Sequence, residues 1–274
     1  MNTRKSIILN NQKIFYRTWG TGSYPLFALP GWPASSLCFS LIGKYLQNEF
    51  TLIALDYPGW AGTPTLKSGK TDIQSVIPIV QNFITSFNFR KYSVLGYSFG
   101  GLVLQTLLKT KQIKPEKIIL TSTFHDIQYH IKKPFYRNFF KIINKTDQIS
   151  GNSNTLKKMI FSYFKSIDVK IGYYRSVNPK EFLTIIKETE KASTRNILES
   201  LKSIAELDIG LLDLREYDPL VIYADGDLPL VIEDSRKFAN ANNFKQVIIS
   251  KSSHSHILFQ PEENFKLIVK HLAL

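Results

Sequence analysis

The chain is short of cysteine, of long apolar runs and of any concentrated block of charge, and each shortage closes off a class of protein. Its one cysteine, Cys38, cannot close a disulfide within the chain, which fits a reducing compartment. No stretch approaches the roughly 18 consecutive apolar residues that a membrane-spanning helix needs. Behind the basic start Met1-Asn2-Thr3-Arg4-Lys5 only Ile7-Ile8-Leu9 follows before Asn10-Asn11, too short for the roughly 7–15-residue apolar core of a secretion signal. These absences predict a soluble, cytoplasmic protein with no membrane span. Neither G-x-x-x-x-G-K-[ST] nor a G-x-G-x-x-G opening the first strand–helix turn is present, so no phosphate cradle is expected. The histidine pair His254 and His256 has no cysteine or carboxylate cluster beside it. Two imidazoles fall short of the three or four ligands of a zinc site, so no metal is expected.

What is present is an ordinary globular balance: 274 residues, 43% hydrophobic and 21% charged. That length suits one α/β domain carrying an insertion. The net charge of +13 is spread out: residues 1–124 hold 13 basic and 4 acidic groups, residues 125–218 hold 16 and 12, and residues 219–274 hold 6 and 6. No segment is the dense basic tail that tracks phosphates, so no nucleic-acid partner is expected. The excess reads as a lysine-rich solvated surface or as a face for an acidic partner.

Strands and helices alternate, the signature of a largely parallel sheet covered on both faces. Residues 4–9 and 12–19 flank Asn10-Asn11 and read as a hairpin. Residues 26–29 and 51–55 read as buried strands with a helix over 35–48 between them. Thr71-Asp72-Ile73-Gln74 resembles a capping box opening a helix to about residue 88, with Pro78 expected to bend it. A strand over 92–95, a helix over 99–111 and a strand over 117–123 follow. Residues 125–213 hold only helical patterns. Alternation then resumes with a strand over 220–224, a helix from about 230, a strand over 246–249 and a last helix opened by Pro261. The reading is a mostly parallel eight-stranded sheet with helices on both faces, residues 1–124 and 214–274 forming the core and 125–213 a helical insertion after the sixth strand.

The sharpest chemical signal is Gly96-Tyr97-Ser98-Phe99-Gly100, placed where a strand ends and a helix begins. A serine on so tight a turn tolerates only small residues two positions away on either side, and the helix amino terminus behind it favours developing negative charge. A serine hydroxyl needs a base to take its proton and an acid to orient that base. Asp225 and Asp227 follow the strand over 220–224, and His254 and His256 follow the strand over 246–249. Ser, Asp, His is then the chain order. His125 and His130 read as exposed loop or helix residues, and Cys38 as a small buried hydrophobe.

With these motifs the chain resembles the α/β-hydrolase superfamily over nearly its whole length. Leu29-Pro30-Gly31-Trp32-Pro33 resembles the loop that supplies half of the oxyanion hole, Asp56-Tyr57-Pro58-Gly59-Trp60-Ala61-Gly62 the D-x-P-G-x-G turn, and Gly96 to Gly100 the nucleophile elbow. Pro30 stands where the family usually has His. The resemblance implies that Ser98 is the nucleophile, that His254, seven residues before Pro261, is the base, and that Asp227 is the acid, with Asp225 second and Asp126 a third position used by some relatives. It assigns the oxyanion to the amides of Trp32 and Phe99; Pro33 has no N–H to give. Relatives that open epoxides or cleave haloalkanes carry an aspartate at the elbow, which Ser98 argues against.

The insertion would act as a lid. Residues 124–174 hold eleven Phe or Tyr in 51 positions, about 22% against 13% for the chain, and an apolar roof favours acyl or alkyl groups. The expected function is a cofactor-free serine hydrolase cleaving carboxylic esters of small, largely apolar molecules. The alternatives are a lactonase, a thioesterase, an esterase acting on esters borne by an acidic carrier protein, or a non-catalytic ligand receptor on the same fold.

Overall fold

The computed structural model describes residues 4–46, 50–126, 128–129, 162, 178–210 and 212–272. β1 (Lys5–Leu9) and β2 (Gln12–Trp19) pair antiparallel across Asn10-Asn11. The φ angles there, 49° and 61°, are the left-handed values a two-residue hairpin turn requires and asparagine tolerates. β2 pairs antiparallel with β4 (Phe50–Leu55), and every later pairing is parallel. With β3 (Tyr24–Leu29), β5 (Ser93–Tyr97), β6 (Lys117–Thr121), β7 (Pro219–Gly226) and β8 (Lys245–Ser253), the eight strands run in the order β1-β2-β4-β3-β5-β6-β7-β8.

That order explains where a site can form. β3 is followed in sequence by a strand on one side of it, and β5 lies on its other side. The loops leaving β3 and β5 therefore diverge, and a crevice opens at their carboxyl ends. Side chains alternate between two apolar layers, as period two dictates. Phe27, Leu29, Val94 and Leu120 enter one core with α2 (Ile73–Thr85) and α3 (Phe99–Lys109). Leu26, Ala28, Leu95 and Ile119 enter the other, with α1 (Ser40–Gly43) and the carboxyl-terminal helices.

After β6, the described part of the expected insertion contains α4 (Pro179–Thr189) and α5 (Thr194–Glu206). The core then adds α6 (Pro229–Asn242), α7 (His256–Phe259) and α8 (Pro261–Leu272), which opens on its proline as expected.

Several local expectations are corrected. Residues 35–48 do not form one helix: a 3₁₀ turn over Ser36–Phe39 precedes the single turn of α1. The Ser35 hydroxyl accepts from the Leu37 amide and the Ser36 amide is drawn to the buried Asp56 carboxylate at 2.6 Å, which fixes a tight turn. The cap of α2 is Asp72, accepting from the Ser75 amide at 2.9 Å, and not Thr71. The α2 helix ends at Thr85 and runs through Pro78, which lies on its exposed side. Of the eleven aromatic residues, Phe124 packs on the core and Tyr129 is exposed beneath the Lys237 ammonium; the other nine, and His130, lie outside the described residues. His125 is buried, not exposed, with its ring stacked on Phe238 at 3.7 Å.

Candidate active site

Ser98 sits between β5 and α3 with φ 52° and ψ −115°, a backbone that costs a non-glycine residue of order 1–3 kcal/mol. Its surroundings enforce it. The Ser98 amide donates to the Thr121 carbonyl at 2.9 Å, and the Ser98 carbonyl accepts from the Gly101 amide at 2.9 Å and the Thr123 hydroxyl at 2.7 Å. The flanking glycines are required for space: a Cβ on Gly100 would lie 2.0 Å from the Leu29 carbonyl oxygen, and one on Gly96 2.6 Å from the Gly101 Cα.

The side chains expected from the sequence converge here. His254 Nε2 lies 2.9 Å from Ser98 Oγ, and His254 Nδ1 donates to Asp227 Oδ1 at 2.6 Å. Asp227 Oδ2 accepts from the Ser122 hydroxyl at 2.5 Å, and Oδ1 also accepts from the Leu228 amide at 2.7 Å. Burial alone would raise the Asp227 carboxyl. The His254 charge and the hydrogen bonds from His254 and Ser122 outweigh burial and hold it below the ordinary range. With Nδ1 protonated towards a carboxylate, Nε2 keeps a lone pair for the Ser98 proton.

The other carboxylates are used elsewhere. Asp225 accepts from the amides of Lys251 and Ser252 at 2.8 and 3.1 Å, closing a register shift between β7 and β8. Asp126 accepts from the Tyr129 amide at 3.0 Å. His256 is fully buried behind the site, with Nε2 3.1 Å from the Thr121 hydroxyl. Cys38 is buried, as expected. Phe99 opens α3, so its amide has no acceptor in a preceding helical turn. The loop carrying Trp32 lies over the serine, since a Cβ on Gly31 would come within 3.1 Å of Ser98 Cβ. Ser122 was missed by sequence reasoning. The run of hydroxyl residues Thr121-Ser122-Thr123 at a strand's carboxyl end was the signal, because each of the three bonds part of the site.

Among the described residues no group of three or more His, Cys, Asp or Glu could hold a metal ion, and no helix is long and apolar enough to cross a membrane.

Three buried imidazoles make the fold acid-sensitive: His271, lowered to about 4 chiefly by burial, adds to His125 and His256. Burial lowers His125 to about 3 and His256 to about 4, against about 6.5 in an unfolded chain. All three are neutral when folded, so below pH 6.5 the unfolded chain binds more protons and stability falls as pH falls. The loss continues to about pH 4 for His256 and His271 and about pH 3 for His125. Each contributes up to about 1.4 kcal/mol per pH unit within its window. The urea midpoint should therefore drop between pH 6.5 and 5.5, and a midpoint that stays level or rises would contradict the assignment.

A family profile described as the alpha/beta hydrolase fold matches residues 24–261. A serine hydrolase-like protein of Danio rerio is 24% identical over 207 residues, 73% of this chain; the match spans only 58% of that relative's length. A pimeloyl-[acyl-carrier protein] methyl ester esterase of Legionella pneumophila (strain Corby) is 26% identical over 247 residues, 85% of this chain and 89% of its own. Among solved structures, an esterase of Exiguobacterium antarcticum superposes with a TM-score of 0.78 at 17% identity, covering all of both chains.

Proposed function

Since the chain belongs to the α/β-hydrolase family, we propose that it is a serine hydrolase that cleaves carboxylic esters with largely apolar acyl or alkyl groups. The observation that carries this reading is the unbroken hydrogen-bonded series from Asp227 through His254 to Ser98. Ser98 Oγ attacks the ester carbonyl carbon as its proton passes to His254 Nε2, and Asp227 stabilises the resulting imidazolium. The carbonyl oxygen, now an oxyanion, takes hydrogen bonds from the amides of Trp32 and Phe99, each worth on the order of 3 kcal/mol in comparable sites. Collapse expels the alcohol, which takes the proton from His254. A water then loses a proton to His254 and attacks the acyl carbon, releasing the acid and returning the proton to Ser98. Residues 125–213 serve as a cap, and their aromatic-rich stretch supports an apolar acyl pocket.

A second reading, hydrolysis of an ester carried on an acidic carrier protein, draws on the net charge of +13 and on the similarity to the Legionella esterase. One set of measurements tests both. A fluorophosphonate should label the protein, and p-nitrophenyl esters from acetate to octanoate should be turned over with no loss towards the longer chains. A folded protein that takes no label is a receptor, and a strong preference for acetate removes the apolar pocket. Turnover of a carrier-bound ester that falls with salt, beside salt-insensitive turnover of the free ester, promotes the second reading.

A further inference from the structure

We propose that Ser200 is a positioning residue for the oxyanion-binding loop, acting through the indole of Trp32; this rests on the serine hydrolase reading above. The Trp32 indole Nε1 donates to Ser200 Oγ at 2.9 Å and, less closely, to the Ile197 carbonyl at 3.2 Å. Ser200 is fully buried. Its own hydroxyl proton has partners inside α5, the Asn196 and Ile197 carbonyls at 2.8 and 3.0 Å. A lone pair is thereby left for the indole N–H. A serine is suited to this place because one small oxygen accepts from the loop while donating to its own helix.

The tether matters because the loop has little room for error. Its backbone lies against Ser98 and Tyr97: a Cβ on Gly31 would come within 2.9 Å of the Tyr97 ring. The Ala34 amide donates to the Gly31 carbonyl at 2.7 Å, folding the chain tightly around Trp32 and Pro33. The α5 helix is in turn fixed to the core by directional bonds from one of its faces. Asn196 Nδ2 donates to the Gly59 carbonyl at 3.0 Å, Glu199 Oε2 accepts from the Thr71 amide at 3.1 Å, and the Ser203 hydroxyl accepts from the Ile73 amide at 3.2 Å. Residues 196, 199, 200 and 203 have the three- and four-residue spacing that puts side chains on one helical face. Apolar contacts alone would let the helix slide; these bonds fix its register, and Ser200 passes that register to Trp32. An oxyanion donor works only when held where the charge develops, and losing one outright costs about 10²–10³ in kcat.

Ser200→Ala should loosen the donor without deleting it, lowering kcat about tenfold and leaving KM within about twofold. Trp32→Phe, which keeps the amide but lacks the indole N–H, should do the same, and the double variant should be no slower than either single one. A trifluoromethyl ketone, whose adduct with Ser98 carries the oxyanion, should inhibit both variants more weakly by the factor lost in kcat. Ser200→Thr keeps the acceptor and should restore most of the rate. If Ser200→Ala does not fold, Trp32→Phe with the ketone carries the same test. An active wild type beside variants with unchanged kcat, multiplying losses, or losses confined to KM would overturn this inference alone. A wild type inert to fluorophosphonate and to every ester would overturn the hydrolase reading, and this inference with it.

Discussion

Ser98→Ala is expected to lower kcat for ester hydrolysis about 10⁶-fold, equivalent to about 8 kcal/mol of transition-state stabilisation, with the fold intact. Alanine loses only the Oγ that lies 2.9 Å from His254 Nε2. The backbone at φ 52° is as unwelcome to alanine as to serine, and the bonds to Thr121, Gly101 and Thr123 that impose it do not involve the side chain. The melting temperature should therefore barely move while turnover and fluorophosphonate labelling vanish. Ser98→Gly makes the complementary point. Glycine accepts a positive φ freely, so that variant should be as inactive as the alanine one yet more stable by about 1 kcal/mol. Because the three groups act as a unit, adding His254→Ala to Ser98→Ala should cost almost nothing further. More than about 1% of wild-type turnover in the purified Ser98→Ala protein would place the chemistry elsewhere.

The parts of this site that were legible in the sequence are those encoded by local contrast. A glycine-flanked serine between a β-pattern and a helical pattern has few local conformations open to it, and Pro261 marks a helix start that puts a fixed distance between itself and His254. The choice between Asp225 and Asp227 was not legible from local pattern. Both leave the same strand, and only the register shift at Ala224 and Gly226 sends one carboxylate to the Lys251 and Ser252 amides and the other to His254. Ser122 and His125 were illegible for a related reason. Ser122 bonds a carboxylate 105 residues away, and the ring covering His125 belongs to Phe238 on α6. The central strands were found because a buried strand needs a short apolar run, and β1 and β2 because Asn10-Asn11 marks a hairpin turn between them. The single turn of α1 was overextended because helical periodicity cannot register that a buried aspartate 20 residues on would capture the Ser36 amide.

That aspartate belongs to a buried ionic cluster that no local pattern signals, and Arg17→Ala is expected to destabilise the protein by about 3–5 kcal/mol, a fall in melting temperature on the order of 10 °C. The Arg17 guanidinium donates to Glu188 Oε1 at 2.7 Å, to the Ser36 hydroxyl at 2.7 Å and to Asp56 Oδ2 at 3.4 Å. Arg4 donates to the same Asp56 oxygen at 2.9 Å. The cluster joins β2, the end of β4, the turn at residues 35–36 and α4. The Asp56 side chain is fully buried, and those of Arg17 and Glu188 are each 7% exposed. Removing Arg17 leaves two carboxylates facing Arg4 alone in a site water scarcely reaches, so the cost is that of uncompensated charge, not of a few lost contacts. Lys266→Ala, which breaks an exposed, solvent-screened pair with Glu262, should by contrast leave the melting temperature almost unchanged. The pH dependence separates a charge effect from a cavity effect. Burial already raises the Asp56 carboxyl, against the opposing pull of the Ser36 amide and the two arginines. Without Arg17 it rises further, so in the variant the folded state takes up a proton at a higher pH than the unfolded chain does. The variant therefore recovers more stability than wild type as pH falls towards the range where that carboxyl is protonated, and its deficit against wild type should narrow as pH is lowered from neutrality in urea titrations. A deficit that stays constant with pH would mean that Arg17 acts by packing, and that the cluster's charges are already balanced without it.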